Sequence, residues 1–557
     1  MSPARRFGAR AWASTRALLP GRRDYRMLGR TWRGDLIAGI TVGIVALPLA
    51  LGFGVSSGLS AEAGIVTAIV AGILAAVFGG SNVQVSGPTG AMVVVLVPIV
   101  ATHGAGAVVA VTAIAGIIVV AAGALRLGRA VSFIPWPVIE GFTLGIAVII
   151  FLQQVPLLTS AHTAHAGEHS SNAIIAAVQS VAAADWSYTP WALGAAAVVA
   201  AIMLIAPRIH RAIPGSLIGI AVVTALALAI STPLATIGAL PASLPAPSFP
   251  PLDPALIGQL LLPALTVAAL AAIESLLSAR VAASLADSGA YDPDRELVGQ
   301  GIASIGSAMF GGMPATGAIA RTAVNVRSGG RSRLAAITHA LVLLLVVLVI
   351  SQPVGAIPLA ALAGVLMVTA VRMVHASTVR AILTSTRGDA IAFIVTAVVT
   401  VSFDLIVAVI IGVLFAGIIA VRSLSRQTGV RRQPIIGDAI DGDERIAIIA
   451  IDGPLFFASA DRVFEQVAAL TGVSVVVLRM SQLELVDATG ARMLADIVQA
   501  LERRGVTVLI KGVQPLHDGL FRRVGVLDSL RHHNHLFTDL PTAIAHARSH
   551  VARELAA

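Results

Sequence analysis

Two short segments of this chain combine glycine, proline and threonine in a way that suits anion binding. Phe78-Gly79-Gly80 is followed by Gly87-Pro88-Thr89-Gly90-Ala91, and Phe310-Gly311-Gly312 by Ala315-Thr316-Gly317-Ala318. Each interrupts a long apolar stretch, one in each half of the hydrophobic region. Breaks at matching places in two halves of a membrane protein point to a binding site near the bilayer midplane. The chemistry is that of a broken helix. Its new N-terminus presents N–H groups without partners and a partial positive charge of about half an electron. Two such ends directed at one another make an anion site without a charged side chain. Pro88 suits the first turn, where its missing N–H costs nothing, and Ser86 and Thr89 can cap the helix or contact the anion. A helix starting near Thr316 carries Arg321 about one turn inside.

Two charged residues stand out against this apolar background. Arg321 in a membrane costs about 2.5–3.5 kcal/mol or more, so it needs a partner or a role. Positive potential at the anion site is the role expected here. Glu274 interrupts the apolar run 260–281. An intramembrane carboxylate marks a functional site, and here it suits a coupling proton or sodium ion. A static salt bridge to Arg321 or Arg280 is compatible with that role. Glu140 near a span start, and Asp35 and Asp404 at span ends, read as caps, gate packing or interface residues. His162, His165 and His169 have a spacing that zinc accepts, but they read as part of a flexible outer loop.

The elements that position these residues follow from composition. The chain has 557 residues, 57% hydrophobic and 12% charged, with mean hydropathy +0.89. Soluble domains carry about 25% charged residues, so a polytopic membrane protein is expected. There is no cysteine, which excludes disulfides, thiolate metal sites and cysteine nucleophiles. The net charge of +9 resides largely in a basic N-terminal segment, residues 1–33, with no cleavable signal. Apolar segments of span length run from Leu36 to about Val421, about fourteen in all, two of them short. Connections at 157–185, 231–253 and 351–357 lack Lys and Arg. The alternate ones carry Arg126/Arg129, Arg208/Arg211, Arg280/Arg295, Arg327/Arg331/Arg333, Arg372/Arg380/Arg387 and Arg422/Arg426. This alternation places both termini in the cytoplasm. The Pro-rich stretch 241–254 divides the spans seven and seven (34–232 and 258–425, within a transport domain 34–425). An odd number per half inverts the repeat, and the glycine breaks fall at the third span of each half.

Beyond Arg432 the chain changes character. Apolar β-branched runs at 445–451, 473–478 and 506–510 alternate with amphipathic helical stretches at 461–470 and 488–503, which reads as a cytoplasmic α/β domain over 434–550. In Val486-Asp487-Ala488-Thr489-Gly490, Asp487 or Thr489 caps a helix, and Thr489 is placed for phosphorylation at that helix start.

These stretches together resemble the bacterial sulfate permease (SulP) family of anion transporters. The resemblance rests on 311–322 (GGMPATGAIART), 272–279 (AIESLLSA), 133–142 (FIPWPVIEGF) and 86–90 (SGPTG). The C-terminal part resembles a STAS domain, in whose D-x-[ST]-G turn Thr489 takes the place phosphorylated in anti-sigma-factor antagonists. The resemblance implies a 7+7 inverted repeat divided into core and gate domains, elevator motion of the core and a homodimer. It implies an anion held between half-helix ends by Thr89, Gly90, Ala91, Thr316, Gly317, Ala318 and Ala320. Sodium-coupled bicarbonate relatives tend to have Asp where Glu274 stands, which tilts the expectation towards protons. Ala91 and Ala320 offer no hydroxyl, so backbone N–H groups are expected to make most anion contacts.

The expectation is therefore a secondary active anion transporter of the plasma (inner) membrane. Its substrates would be of the sulfate, C4-dicarboxylate or bicarbonate class, probed by Glu274 and Arg321 as coupling and binding residues. It is not expected to be an enzyme, to bind nucleic acid, or to hold a cofactor or metal. The alternatives are a sodium-coupled bicarbonate transporter, an anion exchanger, and a membrane-tethered STAS sensor or scaffold. A nucleobase or ascorbate carrier would need more hydrogen-bonding side chains. The chain has no GxxxxGK[ST] loop for an ATP-driven pump.

Overall fold

The computed structural model describes residues 18–129, 134–160, 172–210, 213–249, 254–285, 291–402, 405–435, 438 and 440–556. His162, His165, His169 and Asp404 lie outside the described residues. The chain divides into two compact units between Val413 and Leu414.

The first unit is helical. In chain order it contains α1 (Leu28–Ser56), α2 (Ala61–Phe78), strand β1 (Ser86–Gly87), α3 (Gly90–His103), α4 (Ala105–Ala124), α5 (Trp136–Gln153), α6 (Val155–Thr159), α7 (Ala173–Ala182), α8 (Thr189–Ile209) and α9 (Gly215–Ile230). The second half follows with α10 (Pro254–Leu285), α11 (Pro293–Met309), strand β2 (Thr316–Gly317), α12 (Ile319–Arg327), α13 (Arg333–Gly355), α14 (Leu359–Met373), α15 (Ala376–Leu383), α16 (Arg387–Ser402) and α17 (Leu405–Gln427), the last of which runs across the boundary into the second unit. Each half runs long helix, long helix, two-residue strand, short helix, long helix. Among the described residues nine helices are long and apolar enough to cross a membrane. Shorter apolar helices, α3 and α9 among them, accompany these, an arrangement consistent with seven spans per half.

The helices sort into two packed groups. α1, α2, α4, α11 and α13 pack together, with α10 and α12 against them. α5 packs on α16, and α14 on α8 and α5. The first group packs at glycine. A Cβ on Gly116 of α4 would lie 2.8 Å from the Gly301 carbonyl oxygen of α11, and one on Gly301 would lie 2.5 Å from that of Gly116. Small residues let membrane helices approach this closely, so neither position has room for a larger side chain.

The second unit is α/β. Its sheet runs β3-β4-β5-β7-β8, with β6 also paired to β4. The strands are β3 (Gly429–Gln433), β4 (Ile446–Leu455), β5 (Val475–Arg479), β6 (Leu483–Val486), β7 (Thr507–Lys511) and β8 (Leu536–Phe537). β3 joins antiparallel and the other pairs are parallel. Helices α18 (Ala460–Ala468), α19 (Ala488–Arg503), α20 (Pro515–Val524) and α21 (Leu540–Ala556) complete it. β4 is buried on both faces, as central parallel strands are. Ala447, Ile449 and Ile451 pack with α18, α19 and α20, while Ile446 and Ile448 pack with Ala543, Ile544, Ala547 and Val551 of α21.

Candidate functional site

The two glycine-rich breaks meet. β1 and β2 pair antiparallel, with Ser86 opposite Gly317 and Gly87 opposite Thr316. The Ala318 N–H extends the ladder by donating to the Val85 carbonyl at 2.8 Å. Each strand is followed within three residues by a helix, so α3 and α12 leave the strand pair in opposite directions. The first-turn N–H groups of both helices, at Gly90, Ala91 and Met92 and at Ile319, Ala320 and Arg321, have no partner within their own helices.

Side chains from α10 and α12 bind this strand pair. The Ser275 hydroxyl of α10 accepts from the Gly317 N–H at 3.1 Å. Thr322 accepts from the Val85 N–H at 3.0 Å, and Asn325 donates to the Val83 carbonyl at 2.7 Å. Glu274 sits one residue before Ser275 and is partly exposed. Its Oε2 accepts from the Thr89 hydroxyl at 2.7 Å and the Thr316 hydroxyl at 2.8 Å. The two hydroxyl oxygens are 3.1 Å apart. The first threonine of one break, the matching threonine of the other, and the intramembrane carboxylate thus form one cluster.

Several expectations need adjusting. α12 begins at Ile319, not near Thr316, because Thr316 and Gly317 are held in the strand pair. Arg321 therefore lies within the first turn. Thr89 occupies the N-cap position of α3 but makes no side-chain capping bond, since its hydroxyl is committed to Glu274. The Ser86 hydroxyl accepts from Gln300 at 2.6 Å. Arg321 is 2% exposed, and its Nη2 donates to the Pro88 carbonyl. Its Nη1 has no partner among the described residues and lies 2.7 Å from where a Cβ on Gly87 would be. Neither Glu274 nor Arg321 belongs to an ion pair among the described residues. A Cβ on Gly90 would lie 2.1 Å from Ile150 Cδ1, so a larger residue there requires the Ile150 side chain to shift. Ala91 and Ala318 are buried, and Ala320 is exposed.

Other residues escaped the sequence reading. Glu296 of α11 is buried and accepts from the Gly80 and Ser81 N–H groups at 2.8 and 3.0 Å and from Gln300 at 2.8 Å. Gln300 links it to Ser86, so one carboxylate ties the Phe-Gly-Gly turn to β1. Gln84 is buried, and both its amide atoms lack partners among the described residues. Asp35 is fully buried. It caps not its own helix but the entry to α13, accepting from the Arg331 and Ser332 N–H groups at 2.7 and 3.0 Å. It also accepts from the Ser332 and Thr31 hydroxyls at 2.6 and 2.7 Å. Glu140 accepts from the Trp136 indole at 3.1 Å. In the second unit Asp487 caps α19, accepting from the Gly490 N–H at 2.7 Å, and Thr489 is exposed.

With this geometry in view, comparison with known proteins is decisive. Residues 32–396 match the sulfate permease family and residues 439–543 the STAS domain. The chain belongs to the sulfate permease family. The putative sulfate transporter YvdB of Bacillus subtilis is 35% identical over 520 residues, 90% of this chain and 96% of that protein. The bicarbonate transporter BicA of Picosynechococcus is 31% identical over 500 residues, 84% of this chain and 87% of that protein. The transmembrane domain of a cyanobacterial BicA superposes with TM-score 0.59 at 30% identity, covering 70% of this chain and 97% of that one. The murine anion transporter Slc26a9 superposes with TM-score 0.79 at 17% identity, covering 96% of this chain and 95% of that one, a likeness of fold. This family member is thus a multi-pass membrane protein with an attached STAS domain.

Proposed function

We propose that the chain is a secondary active transporter of small anions of the sulfate, C4-dicarboxylate or bicarbonate class, coupled to protons. The observation that carries this reading is the antiparallel pairing of β1 with β2, which sets two half-helix starts around one cluster of Thr89, Thr316 and Glu274. The anion sits against the first-turn N–H groups of Gly90, Ala91 and Ala320, with Thr89, Thr316, Gly317 and Ala318, whose own N–H is held by the Val85 carbonyl, shaping the site. Arg321 adds positive potential from behind through Pro88. A proton on Glu274 balances the charge of the loaded site. The α1–α4 and α10–α13 group then moves as an elevator core against the α5, α8, α14 and α16 gate. The basic segment 1–33 and the regulatory domain 434–550 lie in the cytoplasm, flanking transport repeats 34–232 and 258–425 in the plasma membrane, and the working unit is a homodimer. Phosphate on exposed Thr489 would meet the α19 N-terminus and modulate the domain's contacts.

The similarity to BicA favours a second reading, bicarbonate carried with sodium, and exchange is a variant of the same site. Uptake of labelled fumarate, sulfate and bicarbonate into proteoliposomes under an inward proton gradient separates these. Selective uptake of one, collapsing with the gradient, is expected. Uptake that needs sodium instead identifies the second reading. No flux under either gradient or in exchange leaves the membrane-tethered sensor.

A further inference from the structure

The histidines singled out by sequence spacing lie at 162, 165 and 169, but a different set comes together near the end of the second unit. His546 and His550 stand four residues apart on α21, hence on one face of the helix. The turn His533–His535 leads into the edge strand β8 and brings His535 against that face. The His535 ring centroid is 5.5 Å from that of His546 and 5.5 Å from that of His550. His546 Nε2 and His550 Nε2 are 3.2 Å apart. One ring nitrogen from each of the three lies within 4.8 Å of the others.

His535 is 2% exposed, yet its Nδ1 has no partner among the described residues. A buried polar atom left unpaired is costly and calls for an explanation. Ring packing explains the centroid distances and a hydrogen bond between the two rings explains the His546–His550 spacing, but neither gives a reason for the buried Nδ1 of His535 to stay unsatisfied beside them. A tetrahedral zinc ion with bonds of 2.0–2.1 Å holds its nitrogen ligands roughly 3.3 Å apart, and the first pair already stands at that spacing.

We propose that His535, His546 and His550 bind one divalent transition-metal ion of the zinc class. An all-imidazole donor set suits Zn2+, Ni2+ or Cu2+ and does not suit Ca2+ or Mg2+. The fourth position is open to water or to His532, whose ring centroid is 5.4 Å from that of His535. Arg531 and Arg553 act on His550 from close by and temper the affinity. Occupancy joins α21 to the edge strand and so stabilises the second unit.

The test uses the full chain in detergent, without a polyhistidine tag and stripped with chelator. Zn2+ is titrated by calorimetry, and Co2+ by visible absorption to read the coordination geometry. Saturable binding of one ion per chain is expected, with a tetrahedral Co2+ spectrum. His546→Ala and His550→Ala, whose rings are half-buried on a helix surface, should each weaken it about tenfold or more. A variant with alanine at 162, 165 and 169 should leave it unchanged. Melting of the metal-free variants checks that they fold. Absence of stoichiometric binding, or binding that survives both α21 substitutions, overturns the site.

Discussion

Replacing Gly317 with alanine puts a carbon where the site has no room. The new Cβ would lie 1.7 Å from Gln84 Nε2, 2.6 Å from its Cδ and 3.1 Å from Ser278 Cβ. Ordinary contact between such atoms begins near 3.4 Å, so the Gln84 amide must retreat by well over an ångström or β2 must move. Gln84 is buried, and overpacking of this kind costs about 1–3 kcal/mol. If β2 moves, the Gly317–Ser275 and Thr316–Glu274 hydrogen bonds are stretched with it. A shift of 1–3 kcal/mol depletes the competent arrangement by about 5- to 150-fold, and anion uptake by Gly317→Ala should fall within that range. Adding Gln84→Ala removes the obstacle and leaves no orphaned partner, because the amide has none among the described residues. The double variant should recover most of the lost melting temperature, a coupling measurable as a double-mutant cycle. A Gly317→Ala protein that melts and transports as the parent does, or a cycle with no coupling, would refute the reasoning.

Further outcomes follow from the same geometry. Asp35→Ala strands the buried Ser332 N–H, at a cost of about 1–3 kcal/mol, and removes the acceptor of the less buried Arg331 N–H, and should lower the melting temperature far more than Asp35→Asn, which keeps an acceptor; equal effects would show that shape rather than hydrogen bonding matters. Arg321→Ala should weaken anion binding in calorimetry by about tenfold or more, and lysine should not fully restore it, since an ammonium that donates to the Pro88 carbonyl cannot also place a second donor where the unpaired Nη1 stands. Asp24 is partly desolvated by burial, but the Arg295 hydrogen bond at 2.9 Å, the Gly21 N–H and the charges of Arg295 and Arg333 outweigh this and hold its carboxyl below the ordinary aspartate range. Its contribution is therefore present above that range and lost as the pH falls through the lowered value. Asp24→Asn should cost melting temperature at pH 7 and progressively less towards about pH 3, and a pH-independent difference would count against the ion pair.

What the sequence could carry was decided by range. Glycine and proline breaks, apolar lengths and the arginine alternation are local signals, and they suffice for two halves, two half-helices and an appended α/β domain. The pairing of Ser86 with Gly317 is not local. Two residues per strand, more than two hundred positions apart, leave no periodic pattern to read, so the start of α12 was placed three residues early. Thr89 looked like a cap because its own helix was the only partner in view, whereas a carboxylate on α10 takes its hydroxyl. Asp35 likewise caps a helix from the other half. Glu296 lies in the first turn of α11, which is polar in sequence, and this disguised its burial. The spacing of His546 and His550 was visible, but the partner that gives it meaning arrives through β8.

The most direct measurement is uptake by Glu274→Gln in proteoliposomes after a pH jump, beside the parent protein. Glutamine keeps the size of the side chain and an oxygen for the Thr89 and Thr316 hydroxyls, so the cluster and the strand pair persist while the titratable proton is gone. The account predicts that anion binding survives and that uptake no longer responds to the proton gradient. Uptake by the variant that is driven by the gradient as strongly as in the parent would contradict it.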